Sequence, residues 1–188
     1  PKALFQHLSQ RQDIAWENTA IGMVDERYLP EHHEDSNAKL IFDTLIRDAA
    51  EEASFMAYFD DEREAGQRAQ ALNVLMPEIL DTAELAILGM GGDFHTASIF
   101  PDLPTTAALL DSGSDILFAA NKPTTAPYDR VTLTMAGLER VPEWILHIEG
   151  AGKREIYESA KASDDYIKHP ISAFLQHPSK TLHVFWAE

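Results

Sequence analysis

The chain has no cysteine among its 188 residues. This absence excludes a disulfide framework, thiolate catalysis and zinc sites built on cysteine ligands. It also favours a reducing compartment, so we expect a cytoplasmic protein. No apolar run approaches the roughly 20 residues that a membrane-spanning helix needs, and we therefore expect no membrane partner.

Basic residues are scarce as well. Lysine and arginine together number 15 against 31 aspartates and glutamates, which gives a formal net charge of −16. A surface this acidic repels nucleic acid and anionic lipid, so we expect neither as a partner. If the ligand is itself an anion, a few basic side chains must create a local positive field against this background.

What the chain does contain is a regular alternation of apolar segments. Hydrophobic residues make up 45% of it, enough for a folded core. We predict one domain over residues 1–188. The predicted helices cover residues 1–11, 36–53, 61–80, 152–162 and 171–176, and the predicted strands cover 19–24, 85–88, 116–120, 130–135, 144–148 and 182–186. This alternation predicts an α/β fold, with a mostly parallel sheet flanked by helices on both faces and possible antiparallel edge strands.

The first residues lack an initiator methionine. Pro1 suits the first turn of a helix that is reached from a preceding loop. We therefore expect that an N-terminal segment precedes the chain.

The most informative segment joins a buried strand to a turn and a polar cluster. After the predicted strand at 85–88, glycines that permit a sharp turn and a close approach to a ligand stand at Gly89, Gly91 and Gly92. A carboxylate, an imidazole and two hydroxyls follow at Asp93, His95, Thr96 and Ser98. Ligands of α/β proteins bind beyond the carboxyl ends of the strands, which is where this cluster lies.

Two further polar groups follow predicted strands. Asp25, Glu26 and Arg27 come after the strand at 19–24, and Lys153 and Arg154 open the helix at 152–162. Since the carboxyl ends of parallel strands share one edge, we expect the three groups to converge. Cations at the start of a helix make sense if an anion is also bound there.

Several side chains allow more than one interpretation. His95 can act as a general base, oriented by the Asp93 carboxylate, although a single histidine is often structural. Arg27 can hold a phosphate through its guanidinium fork or pair with a neighbouring carboxylate. Thr96 and Ser98 are interpreted as caps of a following helix rather than as nucleophiles.

Metal and cofactor binding are not expected. The adjacent residues of the segment from His32 to Asp35 rarely converge on one ion, so we interpret it as an exposed loop. The turn at Gly89 is not a dinucleotide fingerprint, because Phe94 occupies the position of the third glycine.

Several segments of the sequence resemble the signature blocks of a known family. Residues 88–101 read LGMGGDFHTASIFP and are similar to the 6-phosphogluconolactonase signature LGMGPDGHTASLFP. Residues 24–30 with 35–37 resemble the family's DERYVP…DSN block, 130–134 its RITLT strand, and 150–154 its GAxK block. His169-Pro170-Ile171-Ser172 and Val184-Phe185-Trp186 match the family's closing region. The resemblance covers nearly the whole chain in the family's order.

The resemblance implies a Rossmann-like fold shared with glucosamine-6-phosphate deaminase. It also implies metal-free hydrolysis of 6-phosphogluconolactone to 6-phosphogluconate in the pentose phosphate pathway, and a phosphate-binding loop just before the position of Pro1. His95 is then the base that activates water, supported by Asp93, and N–H groups at Gly91 and Gly92 stabilise the oxyanion. The expected substrate-binding side chains are Asp25, Arg27, Lys153 and Arg154. We expect a small phosphorylated sugar lactone as partner, and a monomer or weak homo-oligomer.

The sequence departs from the family at Phe94, where the signature has glycine. If this position needs a positive φ, phenylalanine adds strain of about 1–3 kcal/mol beside His95. Two other functions remain open: a deaminase-isomerase acting on glucosamine 6-phosphate, and a sugar-phosphate-binding protein without catalysis.

Overall fold

The computed structural model describes residues 1–188. Its helices are α1 (Lys2–Leu8), α2 (Asn37–Thr44), α3 (Ala65–Leu75), α4 (Pro77–Leu80), α5 (Thr106–Leu109), α6 (Met135–Glu139), α7 (Ala151–Lys161) and α8 (Pro170–Leu175). Its strands are β1 (Ala20–Ile21), β2 (Asp25–Arg27), β3 (Ser54–Phe55), β4 (Leu85–Leu88), β5 (Phe118–Asn121), β6 (Arg130–Leu133), β7 (Glu143–Glu149) and β8 (Leu182–Ala187). No helix has the length and apolar character needed to span a membrane.

The central layer is a three-stranded parallel sheet in the order β4-β7-β8. Trp144 on β7 is fully buried between neighbouring strands and α8, where its ring lies 5.6 Å from that of Phe174. Its indole N–H donates to the Leu138 carbonyl at 2.9 Å, so the one polar atom of this core side chain is satisfied. The carboxyl end of β4 leads directly into the glycine turn.

A second sheet is antiparallel, in the order β2-β6-β5. A short parallel pair, β1 and β3, completes the strands. The predicted α/β fold with parallel strands, flanking helices and some antiparallel pairing is confirmed. The antiparallel strands form a sheet of their own rather than edges of the parallel one.

Several predicted elements differ from the structure. The helix predicted over 1–11 ends at Leu8, and the strand predicted over 19–24 is limited to Ala20–Ile21. The helix predicted over 36–53 ends at Thr44, and Asp48, with φ 53°, lies outside the helical region. The helix predicted over 61–80 is interrupted before Pro77, because proline cannot continue the hydrogen-bond ladder of α3 and instead starts α4. Asp25–Arg27 is itself a strand rather than a turn after one.

Glu26 explains why β2 and α2 are held together. Its carboxylate is almost fully buried and accepts the N–H groups of Asn37 and Ala38, each at 2.8 Å, and the Ser36 hydroxyl at 2.9 Å. Ser36 is the predicted N-cap, and its Oγ accepts the Lys39 N–H at 3.4 Å. Glu26 thus stabilises the positive end of α2, while its neighbours in β2 point to the opposite face of the sheet.

Candidate active site

The glycine turn after β4 is closed by its own backbone. The Gly91 N–H donates to the His95 carbonyl at 2.8 Å, and the Thr96 hydroxyl donates to the Gly89 carbonyl at 2.8 Å. No helix begins at this point, so the interpretation of Thr96 and Ser98 as helix caps is wrong. The chain instead continues as a loop to α5, and both hydroxyls bind other parts of the site.

His95 is held with one ring nitrogen engaged and the other free. Its Nδ1 lies 2.5 Å from Oδ1 of Asp93, and its ring centroid lies 4.4 Å from that of Phe100. The carboxylate can only accept here, so Nδ1 carries the proton. Nε2 has no hydrogen-bond partner in the protein, and the side chain is 31% exposed. This tautomer leaves a basic nitrogen open to a water molecule or a substrate.

Gly91 and Gly92, whose N–H groups were both expected to stabilise the oxyanion, have different roles. A Cβ atom on Gly91 would overlap the His95 ring and the Asp93 carboxylate, so only glycine leaves room for that pair. The Gly91 N–H is engaged within the turn, whereas the Gly92 N–H has no partner. Of the two, only Gly92 therefore offers an N–H group to a ligand.

The polar face of the antiparallel sheet meets the segment that follows His95. The Ser98 hydroxyl donates to Oδ2 of Asp25 at 2.6 Å, and the Ser98 N–H donates to Oγ1 of Thr132 at 3.1 Å. The Asn121 amide donates to the Ser98 carbonyl at 2.8 Å. The predicted convergence of Asp25 with the His95 segment therefore occurs. Asp25 follows the parallel strand β1, as predicted, but β1 lies outside the β4-β7-β8 sheet, and Asp25 belongs to a further strand, β2, that pairs antiparallel with β6.

Thr132 and Asn121 were not identified as site residues from the sequence. Both lie in strands that read as ordinary sheet, and their side chains share the face of Asp25 only through the antiparallel register. That register depends on contacts far apart in the chain, which no local pattern reports.

Burial raises the pKa of the Asp25 carboxyl above its usual value. The Ser98 hydrogen bond and the charges of Arg130 and Arg27, together with that of the His95 ring when it is protonated, oppose this shift without cancelling it. Asp25 is thus a desolvated carboxyl group that is linked to the His95 segment through the Ser98 hydroxyl.

Lys153 and Arg154 are adjacent in α7 but face different parts of the structure. The Lys153 ammonium donates to the Met90 carbonyl at 2.5 Å, which places it against the glycine turn. The Arg154 guanidinium lies 4.9 Å from the centre of the Trp186 ring on β8, beside a cavity of about 240 Å³. Since β7 separates β8 from β4, Lys153 belongs to the site and Arg154 does not join it.

Arg27 has a local partner. One of its terminal nitrogens, Nη1, donates to the Asp35 carbonyl at 2.6 Å and lies 3.5 Å from the Asp35 carboxylate. The Tyr128 hydroxyl donates to the same carboxylate at 3.0 Å, and its ring packs edge-on against His33. Both interpretations of Arg27 remain compatible with this geometry, because the side chain is 39% exposed and most of its N–H groups are free.

Phe94 adopts a left-handed conformation, with φ 68°. The sequence departs from the family signature here, and the backbone is the one in which glycine is favoured. Contacts with the start of α8 hold the residue in place. Its ring centroid lies 4.0 Å from that of His169, and its carbonyl accepts the Ile171 N–H at 3.1 Å.

The family comparison covers almost the whole chain. Residues 1–186 match the family described as glucosamine-6-phosphate isomerases/6-phosphogluconolactonase. The 6-phosphogluconolactonase of Helicobacter pylori (strain J99) is 37% identical over 188 residues, which are all of this chain and 80% of that protein. The 6-phosphogluconolactonase of Rhizobium meliloti is 33% identical over 187 residues, with the same coverage of both.

Solved structures agree with this. A 6-phosphogluconolactonase crystal structure from Shewanella baltica superposes with a TM-score of 0.94 at 31% identity, covering all of this chain and 79% of that one. A monomeric glucosamine-6-phosphate deaminase superposes with a TM-score of 0.78 at 14% identity, covering all of this chain and 80% of that one, which shows a shared fold. The chain belongs to the family of glucosamine-6-phosphate isomerases and 6-phosphogluconolactonases.

Proposed function

We propose that this protein hydrolyses 6-phospho-D-glucono-1,5-lactone to 6-phosphogluconate, in the oxidative branch of the pentose phosphate pathway. Relatives named 6-phosphogluconolactonase, at 33–37% identity over the full chain, support this assignment. The observation that carries it is the His95–Asp93 pair, which leaves Nε2 of His95 free beside the glycine turn.

His95 supplies the base for hydrolysis. Its Nε2 takes a proton from water as the water oxygen bonds to the lactone carbonyl carbon. Asp93 stabilises the imidazolium that forms and keeps the ring in position. The carbonyl oxygen becomes an oxyanion, which the free N–H of Gly92 can stabilise.

The tetrahedral intermediate then collapses. The bond from the former carbonyl carbon to the ring oxygen breaks, and the proton on His95 Nε2 passes to that oxygen as it leaves. The product is an open-chain hydroxy acid, and His95 returns to its neutral form without a metal or a redox step.

Substrate binding uses the few basic side chains near this turn. Lys153 lies at the start of α7, where a lone cation is unfavourable and a bound anion offsets its charge. Arg27 adds a guanidinium fork suited to phosphate. Asp25 accepts a hydrogen bond from Ser98 in the His95 segment and can also accept one from a sugar hydroxyl. Arg154 does not take part in substrate binding, because its side chain stacks on Trp186.

We also propose a cytoplasmic protein, as the cysteine-free composition favours. We propose in addition that it acts as a monomer or a weak homo-oligomer. A small phosphorylated lactone is the only ligand the proposal requires.

The test is lactone hydrolysis by the full-length protein, corrected for the spontaneous hydrolysis of the substrate. We expect turnover well above background, and a loss of kcat of about 100-fold or more in His95→Asn. A wild-type rate equal to background contradicts lactonase activity. Release of ammonia from glucosamine 6-phosphate assigns the protein to the deaminase branch, and binding of 6-phosphogluconate without either turnover assigns it a binding role.

A further inference from the structure

His169 is a half-buried histidine that the proposed reaction does not use. It is the residue just before α8, and its ring centroid lies 4.0 Å from that of Phe94. The backbone of Phe94 is held by the same region, because its carbonyl accepts the Ile171 N–H at 3.1 Å. Both contacts come from the start of α8, so this helix is joined to the glycine turn at one residue.

The imidazole of His169 is itself held by the segment that connects α7 to α8. Its Nδ1 lies 2.6 Å from Oγ of Ser163, and its backbone N–H donates to the Asp165 carbonyl at 2.9 Å. The Ser163 carbonyl in turn accepts the Gln176 side-chain amide at 2.6 Å, which ties this segment to the end of α8. The His169 ring therefore offers Phe94 a fixed surface to pack against.

Phe94 is the single residue between Asp93 and His95. The Asp93 carboxylate and Nδ1 of His95 lie 2.5 Å apart, and this separation depends on the backbone dihedral angles of Phe94. Its φ of 68° is unfavourable for a residue with a Cβ atom. Relaxation of this φ to a negative value would turn His95 away from Asp93 and break the hydrogen bond between the Gly91 N–H and the His95 carbonyl.

We infer that His169 is a positioning residue for the base His95 and that it acts through Phe94. The imidazole keeps the Phe94 ring packed, and the packed ring keeps the backbone in its left-handed conformation. That conformation holds His95 against Asp93. In this role His169 makes no contact with the substrate. The inference rests on the proposed lactonase function and adds to it a residue from the far end of the chain.

The effect of this link is expected in kcat rather than in KM. Without the ring contact, a larger share of the molecules has a relaxed turn, and in those molecules His95 is misplaced. Substrate binding changes less, because Lys153 contacts the Met90 carbonyl, which precedes the strained residue in the chain.

The first test is the steady-state kinetics of lactone hydrolysis by variants of the full-length protein. His169→Ala is expected to lower kcat about tenfold and to leave KM within about twofold of wild type. His169→Phe keeps an aromatic ring against Phe94, so its kcat should stay within about threefold of wild type. An unchanged kcat in His169→Ala, or an equal loss in both variants, overturns the inference.

The second test repeats His169→Ala in a Phe94→Gly background. Glycine adopts a positive φ without strain, so the turn no longer needs the ring contact. In this background His169→Ala should lower kcat by less than about twofold relative to Phe94→Gly alone. An undiminished loss would show that His169 acts on the reaction without Phe94, against the inference.

His177→Ala is the matched control for a loss of packing alone. His177 also packs on an aromatic ring, 5.2 Å from that of Trp144, and its Nε2 lies 2.7 Å from Oε1 of Glu139. These contacts lie on β7 and α6 rather than on the glycine turn. The free energy of unfolding should therefore fall while kcat of the folded enzyme stays within about twofold. A kcat loss as large as that of His169→Ala would contradict a specific role of His169.

NMR of the proton between Nδ1 of His95 and the Asp93 carboxylate tests the link without turnover. Its signal is expected to persist in wild type and His169→Phe and to be lost or strongly broadened in His169→Ala. An unchanged signal in His169→Ala overturns the inference. If the wild type shows no lactonase turnover, the proposed function fails, and the NMR signal still decides whether His169 positions the pair.

Discussion

The ring of Phe94 packs against the imidazole of His169, with the two centroids 4.0 Å apart. This contact holds a phenylalanine in a left-handed conformation next to His95. The strain of that conformation is about 1–3 kcal/mol, and a packed aromatic pair contributes about 0.5–1.5 kcal/mol in the opposite direction. The turn thus keeps its shape although it lacks the glycine of its relatives.

This balance predicts different outcomes for two substitutions. Phe94→Gly removes both the strain and the contact, so we expect the free energy of unfolding to stay within about 1 kcal/mol of wild type. Phe94→Ala removes the contact and keeps the strain, so it should be less stable than Phe94→Gly by about 1 kcal/mol or more. Urea unfolding measures both. Equal stability of the two variants contradicts a strained backbone at this position.

Gly91 is predicted to be irreplaceable for geometric reasons. A methyl group at Gly91 would push the His95 ring away from Asp93. Because small displacements of a base are costly, Gly91→Ala should lower kcat about 100-fold. The control is Gly89→Ala in the same turn, where an added Cβ meets nothing within 4 Å. Steady-state kinetics that show equal effects in the two variants would falsify the steric argument.

Substitutions of Lys153 and Arg154 are expected to have different effects on KM. Lys153→Ala is expected to raise KM about tenfold or more, since it removes a charged donor placed against the turn. Arg154→Ala should leave KM within about twofold, because its side chain lies over Trp186. An unchanged KM in Lys153→Ala counts against a role of Lys153 in substrate binding. A large increase of KM in Arg154→Ala would show that Arg154 also contributes to binding.

Asp25 is predicted to reduce stability at neutral pH. Its pKa in the folded protein is raised by burial, so the folded state binds the proton more tightly than the unfolded state. The free energy of unfolding therefore falls as pH rises above the unfolded pKa of about 3.9. Asp25→Asn should raise Tm at pH 7 by about 2–4 °C for each kcal/mol gained.

The pH dependence of that gain is the sharper measurement. Below pH of about 3.9 the carboxyl is protonated in both states, so wild type and Asp25→Asn should converge. Asp13 provides a control whose pKa shifts in the opposite direction, because a hydrogen bond from Arg11 lowers the pKa of Asp13 to about 2. Asp13→Asn should therefore give no stabilisation at pH 7. A difference for Asp25→Asn that grows as the pH falls contradicts the prediction.

The local chemistry of the turn could be predicted from the sequence. Residues 85–98 place a strand, glycines, a carboxylate and an imidazole in one short stretch, and the His95–Asp93 contact spans only two residues. Interactions of this range depend on backbone geometry that glycine and neighbouring polar residues determine themselves. The spacing of apolar residues is also a local property of the chain, and it predicted the parallel strands and most of the helices.

The partners of that turn could not be predicted in this way. Adjacent residues on a helix point about 100° apart, so the pattern at 153–154 did not show that Lys153 faces Met90 while Arg154 faces Trp186. The pairing of Arg27 with Arg130 depends on the register between strands that are about 100 residues apart in the chain. Sequence by itself determined the composition, the order of elements and the reactive histidine. Tertiary structure decided which cations face the site, because only packing brings distant strands into register and gives each side chain its neighbours.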